Sequence, residues 1–598
     1  MYGYRGKILR INLTDHTFKT EALDHGKALK YIGGRGLGSR IMAEEVDPKV
    51  DAFDPENKII IATGPLTGTP TPAGGRYMVV TKSPLTGTIA SSNSGGFWGS
   101  ELKFAGYDLL ILEGKSPKPV NVFIEDDKVE IKDAAHVWGK TTTETTKALV
   151  KEAPDKAKIL CIGPAGEKLS KIAAVMNDIN RAAGRSGVGA VVGSKNLKAI
   201  VVKGSGKPAI ANPDKLKEIV KESRGKLKDN GVTGQGLPTY GTAVLVNIIN
   251  EGGVFPTNNF QTTYFDKAEN ISGEHLAENF LIKRESCFAC PIACGRYAKA
   301  DDIEGGGPEY ETIWAFGAAC GVDDMKSVIK ANYWCNELGL DTISAGVTIA
   351  TAMELYQRGK ITDEHINNGM TLKWGDAHSM VEWTRKLGMR DGLIADKMAE
   401  GAYRLAEHFG MVDAAMVVKK QELPAYDPRG IRGQGLQYAT SNRGGCHVRG
   451  YMISPEILGL PEKLDRFAID GKAEWVKIFQ DLTAYIDSTG LCLFTSFAID
   501  PKGYADMTNA VCGTNFTDAD ILEAGDRIWN LERDYNLKAG IDPSQDTLPK
   551  RLLNDPIPDG PSKGNVTRLD EMLPKYYEIR GWTEKGIPKP ETLEKLGI

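Results

Sequence analysis

The chemistry of this chain begins with sulfur. Cys287-Phe-Ala-Cys290-Pro-Ile-Ala-Cys294 sets three thiols in one short loop, and Asp487-Ser-Thr-Gly-Leu-Cys492 brings a fourth from far downstream. Four cysteinyl sulfurs suit a cubane iron–sulfur cluster, with a CxxCxxxC loop wrapping one corner and a distant residue closing the coordination. Tetrahedral zinc also takes four thiolates, but structural zinc sites usually pair two close-set knuckles. Electron transfer is the leading expectation, and structural zinc is its rival.

A second group of residues reads as acid–base chemistry. Gly307-Pro-Glu309-Tyr-Glu311 precedes an apolar helical segment. Tyr426-Asp427-Pro-Arg429-Gly leads into Asn442-Arg443-Gly-Gly-Cys446-His447-Val-Arg449. A carboxyl group, a phenol and an imidazole brought together can hold and move protons. Against this, two acids at a helix start can simply complement the helix dipole, worth about 0.3–1 kcal/mol, and Cys446 reads as packing. Glu309 and Glu311 flank Tyr310, so they face different directions once the segment is helical.

These residues need a large scaffold. At 598 residues the chain exceeds what one hydrophobic core supports. Runs beginning at Lys58, Arg76, Asp108 and Leu197 read as strands bounded by turn residues. Between them lie glycine-rich loops at 64–75, 92–99 and 184–189, where backbone amides can approach a ligand closely. Gly33-Gly-Arg-Gly-Leu-Gly38 resembles a dinucleotide loop only weakly, because no strand leads into it. From about residue 212 the periodicity turns helical, with helices expected over 323–339, 344–358, 376–388, 392–409, 471–486 and 517–535. The proline-punctuated stretch after about 540 is expected to wrap the surface, and no internal sequence repeat is evident. The fold class is therefore α+β: a β-rich base over 1–208, a helical domain over 209–417 carrying the cysteine loop, and a second over 418–598 carrying His447 and Cys492.

A formal charge of −4 and the lack of long basic runs argue against nucleic acid or an anionic membrane as partner. No long apolar stretch reads as a membrane span, and the N-terminus does not resemble a secretory signal. Nine irregularly spaced cysteines suit ligation in a reducing compartment better than a disulfide framework, so the expected location is the cytoplasm.

Taken together, the cysteine loop, Asp487 to Cys492, Asn336-Glu-Leu-Gly-Leu-Asp341, Gly307 to Glu311 and the N-terminal Gly-Arg-Gly-Leu-Gly make the chain closely similar to the tungsten-dependent aldehyde:ferredoxin oxidoreductases. The resemblance runs nearly end to end. It implies tungsten held by two pterins through their dithiolene sulfurs, with no cysteine ligand to the tungsten, and one [4Fe–4S] cluster on Cys287, Cys290, Cys294 and Cys492. Molybdenum has the same dithiolene chemistry. The β-rich domain becomes the base on which the pterins lie, covered by the helical domains.

The same resemblance places cofactor contacts at Arg76, Asn93, Gly95, Arg181, Ala182, Leu340, Asp341, Arg443, Asp487 and Leu491. Asn93 and the Ala182 carbonyl would help hold a Mg2+ ion bridging the pterin phosphates. The family's paired signature is DxxGLD and DxxGLC; here Asn336 replaces the first aspartate, which makes its contact less secure than that of Asp341. Glu311 and His447 are the implied catalytic pair, with Tyr426 as a hydrogen-bond donor and Glu309 as the rival carboxyl.

The reaction implied is oxidation of an aldehyde with water to the carboxylic acid, or its reverse. Electrons would leave to ferredoxin or to an iron–sulfur subunit, and a homodimer through the helical domains is compatible with the chain. Two alternatives stand beside this reading: a related tungsten enzyme reducing an aromatic thioester, and a noncatalytic, zinc-stabilised interaction protein.

Overall fold

In the computed structural model, which describes residues 1–366 and 369–598, the first 203 residues form two six-stranded sheets. The first contains β1 (Lys7–Asn12), β2 (Thr17–Ala22), β3 (Ile59–Thr63), β4 (Tyr77–Lys82), β5 (Ile89–Ser94) and β6 (Leu109–Glu113). The second contains β7 (Val120–Glu125), β8 (Lys128–Asp133), β9 (Lys158–Cys161), β10 (Val175–Asn177), β11 (Arg181–Ala183) and β12 (Leu197–Lys203).

The strand order of the first sheet is β2-β1-β6-β3-β4-β5, and that of the second, read from its β8 edge, is β8-β7-β12-β9-β10-β11. The two orders are the same with every number raised by six. Pairing directions match as well: β1 and β6 run parallel, as do β7 and β12, and the other neighbours are antiparallel. The base is thus a structural duplication that the sequence does not announce. A short helix joins β5 to β6 (Trp98–Phe104), and another joins β11 to β12 (Val188–Ser194).

Central strands such as β3 and β4 are buried along their whole length, so they read as unbroken apolar runs rather than as alternation. Edge strand β2 is almost wholly exposed, and its Lys19 and Glu21 suit solvent and discourage edge-to-edge pairing. The sheets share one core in which Leu9, Ile61 and Leu110 from the first meet Val122, Leu160 and Ile200 from the second.

Most helices fall where the periodicity places them, including Met325–Leu338, Thr342–Gln357, Ala377–Met389, Lys472–Thr489 and Asp518–Lys538. The segment expected as one helix over 392–409 is instead two, Leu393–Met398 and Ala402–His408, divided at Gly401 with φ 92°. Gly33–Gly38 opens the helix Gly34–Glu45 and follows no strand, in keeping with the weak dinucleotide reading. The C-terminal stretch does more than wrap the surface. Tyr576 and Trp582 are buried, and Arg580 reaches Asp481 at 2.6 Å inside the helical core. No described helix is long and apolar enough to cross a membrane.

Two turns join helices to base. Helix Met325–Leu338 ends at Gly339, and helix Lys472–Thr489 ends at Gly490; both glycines take the left-handed C-cap conformation, at φ 73° and 90°. Each turn seats on a glycine that follows a base strand just before a proline. A Cβ on Gly163 would collide with the Leu338 carbonyl, and one on Gly64 with that of Thr489. The Gly339 carbonyl then accepts from Ala174 N at 2.8 Å, and that of Gly490 from Arg76 N at 3.0 Å.

Candidate functional site

The turn at Gly490 delivers Cys492 to the cysteine loop. All four cysteines line one cavity, together with Arg76, Arg181 and Phe494. Within the loop, Ala289 and Ala293 both have φ 51°, an unusual conformation for alanine that turns the chain sharply just before Cys290 and Cys294. The amides of Ala293 and Ile292 point at the Cys290 sulfur. Arg76 donates to Cys492 Sγ at 3.2 Å and to Asn93 Oδ1 at 3.0 Å. Burial opposes the Arg76 charge, yet the surrounding thiols, Cys492 foremost, hold its guanidinium above the usual range. Burial pushes the Cys294 thiol well up, with Glu309 and the other cysteines adding to it.

Among the described residues no three His, Cys, Asp or Glu side chains converge on one point in a way that would hold a single ion. Four cysteine sulfurs around one shared space are the donor set a multi-iron cluster takes.

A second, larger cavity, with about 1480 Å3 of empty space, shares Arg76, Arg181, Cys287, Cys294 and Phe494 with the first. Glu309, Glu311, Tyr426 and His447 all line it, as do Gly95, Ala182, Asn336, Leu340 and Asp341. Helix Tyr310–Phe316 separates the two acids. Glu309 stands at its N-cap, accepts from Thr242 Oγ1 at 2.5 Å and faces Arg181 and Cys294.

Glu311, in the first turn, faces the other way. Its Oε2 accepts from Ala425 N at 3.0 Å, and its Oε1 lies 3.5 Å from His447 Nε2. Burial raises Glu311 to about 8, with Arg185 only partly offsetting this. Burial, with the nearby Arg185 and Arg443, holds His447 well below its ordinary value. At neutral pH the pair is therefore an acid and a neutral imidazole, not an ion pair. Glu311 Oε1 and His447 Nδ1 are buried without a hydrogen-bond partner. Tyr426, ring to ring 5.9 Å from His447, shares a hydrogen bond of 3.0 Å with Tyr451.

Arginines surround the remaining contacts. Asp341 caps helix Thr342–Gln357 through Ile343 N and is met by Arg185 Nε at 3.1 Å and Ser344 Oγ at 2.7 Å. Asp487 accepts from Arg449 at 2.6 Å and lies 3.5 Å from Arg35. Arg443 donates to Ser91 O at 2.6 Å and to Cys446 Sγ at 3.0 Å, leaving its buried Nε unpaired. Burial alone would push Cys446 up, but Arg443, Arg449 and Arg185 outweigh it and hold the thiol below its usual value. Burial, Arg443 and Arg35 push Arg449 down to about 9. Arg35 is paired with buried Glu532 at 2.6 Å, Arg449 with Asp487 and Arg185 with Asp341, so the buried guanidinium without a carboxylate partner is that of Arg443, a place for an anion.

Asn93 and Ala182, of which only Ala182 is in the lining of the large cavity, stand at matching registers of the two halves: Asn93 opposite Met78, and Ala182 opposite Met176. Leu491 is buried in the helical core. Sequence reading quoted the segments that hold Arg35, Arg185 and Arg449 but gave these arginines no role. Each lies beside glycine, and a buried arginine in a glycine run is the signal that marks an anion pocket.

Two chambers share a wall, one lined by four cysteines and the other by Glu311 and His447, an arrangement that suits an oxidoreductase. The chain belongs to the aldehyde ferredoxin oxidoreductase family: its N-terminal domain model matches residues 8–204, and the model of domains 2 and 3 matches 218–598. The chain is 55% identical to the tungsten-containing aldehyde ferredoxin oxidoreductase of Pyrococcus furiosus, over 100% of this chain and 99% of that one. It is 33% identical to the aliphatic sulfonate oxidoreductase, WOR-like subunit, of the same organism, over 100% and 97%. Among solved structures it matches the active-site complex BamBC of benzoyl coenzyme A reductase with 1,5-dienoyl-CoA, with a TM-score of 0.86, 26% identity, and coverage of 100% and 97%.

Proposed function

We propose that this chain oxidises an aldehyde with water to the carboxylic acid and passes the two electrons to ferredoxin. The observation that carries the reading is the shared wall: Glu311 and His447 face one chamber, the four cysteines face the next, and Arg76 touches both. Supporting it are the four full-length relatives at 54–56% identity that carry the tungsten-containing aldehyde ferredoxin oxidoreductase name.

The residues fit the expected groups. Cys287, Cys290, Cys294 and Cys492 would hold a [4Fe–4S] cluster, with the amides of Ile292 and Ala293 tuning one sulfur. Arg443 and Arg449 would answer the anionic phosphates of a bis-pterin, with Arg35 already paired with Glu532, and Asp341 and Asp487 would meet its polar edges. The matched registers of Asn93 and Ala182 support a Mg2+ between the halves. Asn93 Oδ1 already accepts from Arg76 but keeps a second lone pair. Bound there, a tungsten–dithiolene centre supplies the two-electron redox change.

The chain's own residues then manage protons. Glu311, poised near neutrality, takes a proton from the attacking water when ionised and returns one in the reverse direction. Neutral His447, through Nε2, donates a hydrogen bond to the substrate oxygen, with Tyr426 beside it. Glu309, turned toward Cys294, is the less suitable acid. The division at 1–208, 209–417 and 418–598 then separates base, first turn, and second turn with His447.

The test is anaerobic purification with elemental analysis and an aldehyde-dependent ferredoxin assay. One tungsten and about four irons per chain, with ferredoxin reduced on aldehyde addition, is the expected result. Zinc alone, without turnover, overturns the reading.

A further inference from the structure

The cysteine cavity has one thin side. Cys492 is 7% exposed, whereas Cys287, Cys290 and Cys294 are all partly exposed, and Ser286 and Pro291 of their loop lie in solvent. Electrons leaving a group held here have their shortest way out through the outer face of this loop.

The loop is framed by a small antiparallel sheet, β13 (Leu281–Glu285), β14 (Gly295–Ala300) and β15 (Ile303–Gly306), in which β13 is an edge strand running directly toward Cys287. Along it Ile282 is 55% exposed, and Lys283 and Arg284 are exposed. On the base side Phe97 is 39% exposed under Lys158, 5.2 Å from its ring centroid, and the neighbouring Gly96 carbonyl accepts from Phe288 N inside the cysteine loop.

The acids nearby are engaged. Asp178 accepts from Phe97 N and Trp98 N, and Glu285 pairs with Lys283 at 3.7 Å, the only ion pair on β13 among the described residues. Exposed Ile282 and Phe97, with Arg284 and Lys158 beside them and Lys283 paired with Glu285, flank the exposed side of the cysteine loop and have the character of a transient docking surface. Apolar contact gives it grip, and charge steers encounter without holding the product.

We propose that this face, formed by Phe97, Lys158, Ile282, Lys283 and Arg284 around the cysteine loop, docks a small acidic iron–sulfur carrier. The proposal rests on the ferredoxin reading and assigns that partner its place. Being mainly electrostatic, such an encounter weakens as salt rises toward a Debye length of about 8 Å at physiological ionic strength.

The test compares wild type, the double variant Lys283→Glu/Arg284→Glu, and Lys158→Glu on the separate base strand, each assayed with a purified acidic ferredoxin and with a small viologen dye. Both variants are expected to raise the KM for ferredoxin about tenfold, within the range of electrostatic steering. Viologen-coupled aldehyde oxidation and iron content should stay at wild-type level, and the salt dependence of the ferredoxin reaction should flatten. An unchanged ferredoxin KM in both variants overturns the docking face. A wild-type chain that reduces viologen but no ferredoxin sinks the ferredoxin reading, and the docking face with it.

Discussion

The turns at Gly339 and Gly490 share a backbone and differ in their chemistry. Each ends a helix in the left-handed conformation and seats on a glycine–proline corner of the duplicated base; Leu340 and Asp341 of the first line the large cavity, and Cys492 of the second lines the cysteine cavity. One turn finishes in Asp341, clamped by Arg185 and Ser344; the other finishes in Cys492, touched by Arg76. A duplicated scaffold has thus been made directional by one side chain. Under the proposed function, the turn that ends in sulfur joins Cys287, Cys290 and Cys294 on the side where electrons would leave.

The sharpest way to break this comparison is to remove that sulfur. Cys492→Ala should lose most of the iron and cut ferredoxin reduction by a factor of about 100 or more, as expected when a cluster ligand is lost, while much of the tungsten stays bound. Asp341→Ala, its counterpart, should keep the iron. If both variants keep a full cluster, or both lose it, the two turns do not divide the work.

The next largest effect lies where the helical parts meet, at Glu311 and His447. His447→Ala should keep metal and cluster and lower aldehyde turnover by about 10²–10⁴-fold, the usual worth of general acid–base catalysis. With Glu311 raised to about 8, the carboxyl is protonated below that pH and ionised above it. Aldehyde oxidation, which needs the base, should rise with pH and level off above about 8, whereas acid reduction should fall over the same range. His447, held well below its ordinary value, adds no inflection there. Glu311→Gln should remove the inflection from both profiles; an inflection that survives belongs to another group.

The sequence carried the site better than it carried the frame. Spacing alone grouped the four cysteines, and the resemblance supplied Asp341, Asp487 and the facing acids. The duplication stayed hidden because sheet topology is set by which strands pair, not by which residues repeat. Its one local trace, the Gly64-Pro65 and Gly163-Pro164 corners, is too short to register as a repeat. Arg35, Arg185 and Arg449 were given no role for a related reason. Glycine runs were read as backbone cradles, while the charge that neutralises the ligand sat between the glycines. The break at Gly401 escaped because apolar periodicity continues across it.

The smallest effect tests the opening residues of the two turns, Asn336 and Asp487. Asp487 is held by Arg449 and lies near Arg35, both fully buried, so Asp487→Asn strands positive charge in the interior and should cost about 3–5 kcal/mol. That loss would show as a lowered denaturation midpoint of the holoenzyme. Asn336 lines the large cavity on its turn, where the arginine that holds Asp341, Arg185, is already spent on Asp341, Gly445 and Glu422. Asn336 is in no ion pair, so Asn336→Asp should shift stability and tungsten content little, by less than about 1 kcal/mol, the net worth of an ordinary hydrogen bond. Unequal penalties would mean that the aspartate of the second turn serves its arginines first and the cofactor through them. Equal penalties would mean that both turns grip the ligand directly and that the amide at 336 is a true substitute for the acid.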